Sequence, residues 1–126
     1  MLSKSAQAIQ DVLAKKGIDL KVVELPSSTR TAIEAAQTIG CEVGQIVKSL
    51  IFKTKTTHQA VLVLASGPNR VDEKTIEKEL GEKIEKADAG FTRHVTGFAI
   101  GGIPPIGHIQ QIQTFIDKDL LTFKDV

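Results

Sequence analysis

Residues 46–54 read Ile46-Val47-Lys48-Ser49-Leu50-Ile51-Phe52-Lys53-Thr54. On a strand, successive side chains point to opposite faces. One face then carries Ile46, Lys48, Leu50 and Phe52, and the other Val47, Ser49, Ile51 and Lys53. Both faces are mostly apolar, which predicts a central strand covered on both sides. Polar residues 54–59 turn the chain, and residues 60–65, from Ala60 through Val61, Leu62, Val63 and Leu64 to Ala65, read as a second buried strand. The pair is expected to form a hairpin with a loop longer than the two-residue kind.

Upstream, Thr31 and Glu34 have capping-box spacing and predict a helix running to Gly40, with Ile33, Ala36 and Ile39 as a weak apolar face. Residues 41–45 connect it to the central strand. Residues 20–25 are rich in β-branched residues and stop at Pro26, which predicts a short strand, followed by a polar loop over 27–30. Ser3 caps a first helix bearing Ala6, Ile9, Val12 and Leu13, which ends at Gly17.

Downstream, Gly67-Pro68-Asn69-Arg70 is a turn. Asp72 caps a helix carrying Ile76 and Leu80 that stops at Gly81. Residues 83–87 suggest an edge strand. Asp88 caps a brief helix holding Phe91 and Val95, a last strand lies near 111–116, and residues 117–121 form one helical turn. Helices and strands interleave irregularly, so the expected class is mixed α and β with a substantial antiparallel component.

A length of 126 residues is enough for one domain with one core. With five Phe and no Trp or Tyr, that core must be aliphatic, and base stacking is poorly supplied. A net charge of +1 excludes the strong positive field of a protein that wraps a duplex. Any nucleic acid contact should be local, with a shallow salt dependence. The single Cys41 excludes an intrachain disulfide and a multi-cysteine metal site. There is no long apolar run and no signal-peptide pattern, so a cytoplasmic protein that does not enter a membrane is expected.

Two features could carry chemistry. The first is Gly97-Phe98-Ala99-Ile100-Gly101-Gly102-Ile103-Pro104-Pro105-Ile106-Gly107-His108, which lacks the Ser, Asn, Asp or Lys of a solvent loop. Its glycines allow close backbone approach and its prolines stiffen it. It reads either as an ordinary turn between strands or as a rigid apolar wall, with the Gly101 and Gly102 N–H groups facing a ligand and His108 at the exit. The second is Lys48, a cation among apolar neighbours. It either snorkels to an edge or forms the floor of a cleft, aimed at a phosphate or a developing oxyanion.

No nucleophile pattern accompanies them. His58, His94 and His108 are scattered without metal-ligand spacing, and G-x-S-x-G, G-x-G-x-x-G and G-x-x-x-x-G-K-[ST] are absent.

These residues resemble the YbaK/ProX family of trans-editing aminoacyl-tRNA deacylases, related to the editing domain of bacterial prolyl-tRNA synthetases. The resemblance rests on residues 31–36, residues 45–50 around Lys48, Gly67 with Arg70-Val71-Asp72, Thr96-Gly97, and the G-x-x-P-x-x-H loop at Gly102, Pro105 and His108. It implies an α+β fold with a mixed, largely antiparallel sheet curved toward a barrel and helices packed around it. It implies one deacylase domain over residues 1–126, ending short of a family segment that begins Trp-Ala-Ala-Gly. The implied reaction is hydrolysis of the ester between a wrong, small amino acid and the tRNA 3′ end. Lys48 is then the essential lysine, with Thr31, Ser49, Gly101, Gly102, Ile103, Pro105, Gly107 and His108 binding the substrate. No metal or cofactor is implied. The implied partners are a mischarged tRNA acceptor end and an aminoacyl-tRNA synthetase, met by a monomer or weak dimer. The family lysine is followed by Asn in an alanine-removing branch and by Thr in a cysteine-removing branch, whereas here it is followed by Ser49, so neither substrate carries over. A non-catalytic tRNA- or nucleotide-binding module of the same fold is the alternative.

Overall fold

The computed structural model describes residues 2–25 and 31–126. The apolar hairpin forms as its patterning predicts. Strand β1 (Val47–Thr54) pairs antiparallel with β2 (Ala60–Ser66), placing Lys48 opposite Ala65 and Phe52 opposite Val61. Strand β3 (Ile84–Lys86) pairs antiparallel with the far end of β1, and β4 (Gln113–Ile116) runs parallel to β2. The order is β3-β1-β2-β4, an open mixed sheet rather than a closed barrel.

Alternation along the hairpin builds two apolar layers. Phe52, Val61 and Val63 pack on one face with Ile76 of α3 (Glu73–Leu80) and Ile84. Ile51 and Leu62 pack on the other with Ala87 and Val95 of α4 (Ala89–Thr96), and Ile103 of the Gly-Pro loop lies against them. Val61 and Leu62 are each 1% exposed, and full burial of such a side chain stabilises by about 1.5–3 kcal/mol. Cover is complete only toward the end of β1. Ile51, Phe52 and Thr54 are buried, whereas residues 47–50 are half-buried.

Helix starts follow their caps. Ser3 accepts from the Ala6 N–H at the head of α1 (Lys4–Lys15), and Thr31 from the Glu34 N–H at the head of α2 (Ala32–Ile39). Asp72 and Asp88 do the same for α3 and α4. Each such cap contributes about 1 kcal/mol. A short 3₁₀ turn at Val43–Gln45 leads into β1, and another at Lys118–Thr122 follows β4. Among the described residues, no helix is long and apolar enough to cross a membrane.

Two expectations are corrected. Residues 20–25 are not a strand. Leu20 and Val23 are 62% and 71% exposed, and the backbone of this segment is tied to a helix side chain instead of a ladder. Gln10 donates to the Leu20 carbonyl at 2.9 Å and accepts from the Val22 N–H at 2.8 Å, while Glu24 accepts from the Ser3 N–H. Second, Ile33 and Ile39 do not face the core: they are 61% and 56% exposed, and Ala36 alone of the three is buried. The polar loop expected over 27–30, with Pro26, lies outside the described residues.

Candidate active site

Strand β3 covers β1 only at residues 52–54. Ala87 continues the contact with one bond from its N–H to the Ile51 carbonyl at 3.2 Å. Beyond that point no strand among the described residues pairs with this edge of β1, and a cavity of about 510 Å³ lies along it. Thr31 and Ala32, at the start of α2, border one side. Lys48 and Ser49 come from β1, Thr92 from α4, and Gly101 and Ile103 from the Gly-Pro loop. Lys48 and Ser49 project to opposite faces of the sheet, so the cavity straddles the strand edge.

Lys48 has a defined partner. Its Nζ donates to the Asn69 carbonyl at 2.7 Å. The Asn69 side chain in turn donates to Asp117 Oδ2 at 2.9 Å and to Asp119 Oδ2 at 2.7 Å. Asp117 also accepts from the Ser66 and Asp119 N–H groups, each at 3.0 Å. The lysine is thus braced by the turn after β2, and that turn by the segment after β4. An ammonium has three donors, so the bond to Asn69 leaves two without a partner among the described residues. The sequence offers no acid on β1 to pair with Lys48, and a backbone carbonyl supplies the contact instead.

Burial works to raise the Asp117 carboxyl, but the bonds from Asn69, Ser66 and Asp119 outweigh it and hold the group below its ordinary value. A depressed folded-state pKa contributes stability that is present above the unfolded value and lost as pH falls through the folded one. Stability is therefore expected to decline as pH drops below about 4, and Asp117→Asn to flatten that decline. Denaturant melts from pH 7 to pH 2 check this. Superimposable profiles for parent and variant would contradict it.

The Gly-Pro loop is held by its own backbone. Gly102 N–H donates to the Ala99 carbonyl at 2.9 Å, so this amide is used within a turn and does not face a ligand. Gly101, at φ +88°, takes the left-handed conformation of that turn. His108 Nε2 lies 2.7 Å from the Pro104 carbonyl. A carbonyl only accepts, so Nε2 carries the proton and the ring braces the loop.

Comparison with known proteins assigns this arrangement. The sequence profile of the aminoacyl-tRNA editing domain matches residues 26–126. The chain belongs to the aminoacyl-tRNA editing domain family. The chain is similar to the uncharacterized protein YwhH of Bacillus subtilis (strain 168), at 31% identity over 105 residues, covering 83% of this chain and 66% of that protein. It is likewise similar to a proline–tRNA ligase of Thermoanaerobacter sp. (strain X514), at 31% identity over 96 residues, covering 74% of this chain and only 16% of the ligase. Among solved structures it superposes on a protein provisionally described as a trans-editing enzyme for prolyl tRNA synthetase. The TM-score is 0.92 at 48% identity, covering 98% of this chain and 78% of the other.

Within this editing domain, Lys48, Thr31, Ser49, Gly101 and Ile103 line one cavity. Gly102, Pro105, Gly107 and His108 lie outside its lining. Gly107 packs against α1, where an added Cβ would sit 3.0 Å from Ile9 Cδ1. His108→Ala is accordingly expected to loosen the loop and impair rate or discrimination by less than the roughly 100-fold that removal of a general base brings. A pH–rate profile that loses a step near neutrality would contradict this. Sequence reasoning missed Thr92 and Lys86 as lining residues, whereas Ile100 lies in the stretch read as an apolar wall. Thr92 was within reach: it sits three residues before Val95 and four before Thr96, on the buried stripe of α4.

Proposed function

We propose that this editing domain hydrolyses, in trans, the ester joining a small, wrong amino acid to the 3′ end of a tRNA. The observation that carries the reading is half-buried Lys48, which lines one cavity with the apolar wall at Gly101 and Ile103 and whose ammonium is fixed by the Asn69 carbonyl. Family membership supports it.

The chemistry follows from these groups. Water attacks the ester carbonyl carbon, and negative charge develops on the carbonyl oxygen. The Lys48 donors not taken by Asn69 stabilise that charge in a partly dry site, where a preplaced donor is worth more than in water. The bond from carbon to the ribose oxygen then breaks, the ribose oxygen takes a proton, and free amino acid leaves uncharged tRNA. The domain supplies position and polarisation rather than a nucleophile. Contact at the acceptor end alone suits the net charge of +1.

The test is incubation with tRNAs mischarged with alanine, serine, cysteine, threonine and 2-aminobutyrate, following free amino acid. Release from at least one, above the spontaneous rate, is expected. Binding without release from any would favour the non-catalytic module.

A further inference from the structure

Four polar side chains are buried among the described residues: Thr54, Ser66, Thr92 and Thr96. Three have partners. Thr54 bonds the Thr57 hydroxyl at 2.9 Å and accepts from the Gln59 N–H, and Ser66 donates to the Gly44 carbonyl at 2.6 Å. Thr96 donates to the Thr92 carbonyl at 2.7 Å, the ordinary back-bond of a helical threonine. Thr92 is 0% exposed, yet its hydroxyl has no hydrogen-bond partner among the described residues. The Asp88 carbonyl four residues back, its natural partner, takes only the Thr92 N–H. Of the four, Thr92 alone lines the cavity.

A buried hydroxyl without a partner is destabilising, and valine would fill the same shape without that penalty. An unpaired hydroxyl is therefore expected where a ligand completes it. The cavity lining on this face of the sheet is mostly apolar: Ile51, Ala87 and Ile103 all belong to the cluster around Val95, and Ser49, two residues before Ile51 on β1, adds one further hydroxyl. Such surroundings suit a small side chain with one polar atom. They do not suit the α-ammonium of the amino acid, which neutral hydroxyls with no carboxylate would leave poorly compensated.

We propose that Thr92 is a specificity residue of the editing pocket, its hydroxyl bonding the hydroxyl of a small aminoacyl side chain. The domain then prefers a seryl-type ester to its isosteric 2-aminobutyryl counterpart. This rests on the reading of the cavity as the aminoacyl site.

The experiment compares binding of two non-hydrolysable 3′-amide analogues, seryl- and 2-aminobutyryl-3′-amino-3′-deoxyadenosine, to the parent, Thr92→Val and Thr92→Ser. The parent should favour the seryl analogue by about 10-fold or more, since a site built to bond a hydroxyl rejects the analogue lacking it. Thr92→Val should bring the ratio to about one, with a Tm equal to or above the parent's, and Thr92→Ser should keep the preference. No preference in the parent, or a ratio unmoved by Thr92→Val, overturns the proposal. A lowered Tm with an unmoved ratio would make the hydroxyl structural. Hydrolysis of the two esters, measured alongside, separates the readings. No hydrolysis with the affinity ratio intact removes deacylation but leaves Thr92 its role, whereas hydrolysis with an unmoved ratio removes Thr92 alone.

Discussion

Lys48→Ala is expected to lower deacylation by roughly 30- to 1000-fold while the domain stays folded. One charge-assisted contact to a developing oxyanion in a partly dry site is worth on the order of 2–4 kcal/mol, which converts to that range of rate. The fold should tolerate the change because Lys48 is half-buried and its bond to the Asn69 carbonyl is a single hydrogen bond, worth about 1 kcal/mol net. Lys48→Arg should fail as well, since a planar fork cannot keep both the Asn69 bond and the position of a compact point charge. Single-turnover rates with a mischarged tRNA, beside a thermal melt, decide the matter. Full activity in Lys48→Ala, or an unfolded variant, would make the lysine structural.

Gly67→Ala should produce the largest loss of stability. A Cβ built on Gly67 would lie 2.4 Å from the Val43 carbonyl oxygen and 2.9 Å from Ala32 Cβ. No flexible side-chain end is available to move aside at the first of these, because the obstacle is backbone at the entry to β1. Overpacking of this kind costs about 1–3 kcal/mol, or on the order of 10 °C in Tm for a domain of this size. The strain should also reach the site, because Ala32 borders the cavity and Asn69, two residues after Gly67, holds Lys48. Gly90→Ala is the control: outside its chain neighbours and its own helix backbone, a Cβ there would meet nothing nearer than Asp88 Oδ1 at 3.6 Å, and alanine is the better helix former. Equal melting of the two variants would contradict this account of Gly67.

Much of the fold was legible where the signal is local. The caps at Ser3, Thr31, Asp72 and Asp88, the helix stops at Gly17, Gly40 and Gly81, and the apolar hairpin all depend on residues within a few positions of one another. Failures came where a distant partner decides. Residues 20–25 carry strand-forming side chains, but Gln10 of α1 satisfies part of their backbone, and no strand edge among the described residues does. On α2 the isoleucines suggested the core face. The helix instead turns its small residues inward: Ala36 is buried, and Ala32 approaches the backbone at Gly67 more closely than an isoleucine could. The site divides in the same way. Lys48 stood out as a charge in an apolar run, whereas its Asn69 carbonyl partner is a backbone group 21 residues away that no side-chain pattern announces. The Gly-Pro loop was recognisable as stiff, but only the folded chain shows Gly101 and Ile103 lining the cavity while His108 bonds back to Pro104.

The central claim is that the cavity along the edge of β1 beyond β3 holds the aminoacyl end of the tRNA. The most direct measurement is an amide chemical-shift titration of the labelled protein with a non-hydrolysable 3′-aminoacylamido-adenosine. The expected result is saturable shifts concentrated at Lys48, Ser49, Thr92, Gly101 and Ile103. A second hollow shares Asn69 with the Lys48 contact, so its more distant lining at Thr75, Phe115 and Lys118 serves as the internal reference. Shifts gathered there, with the β1 edge unmoved, would contradict the assignment.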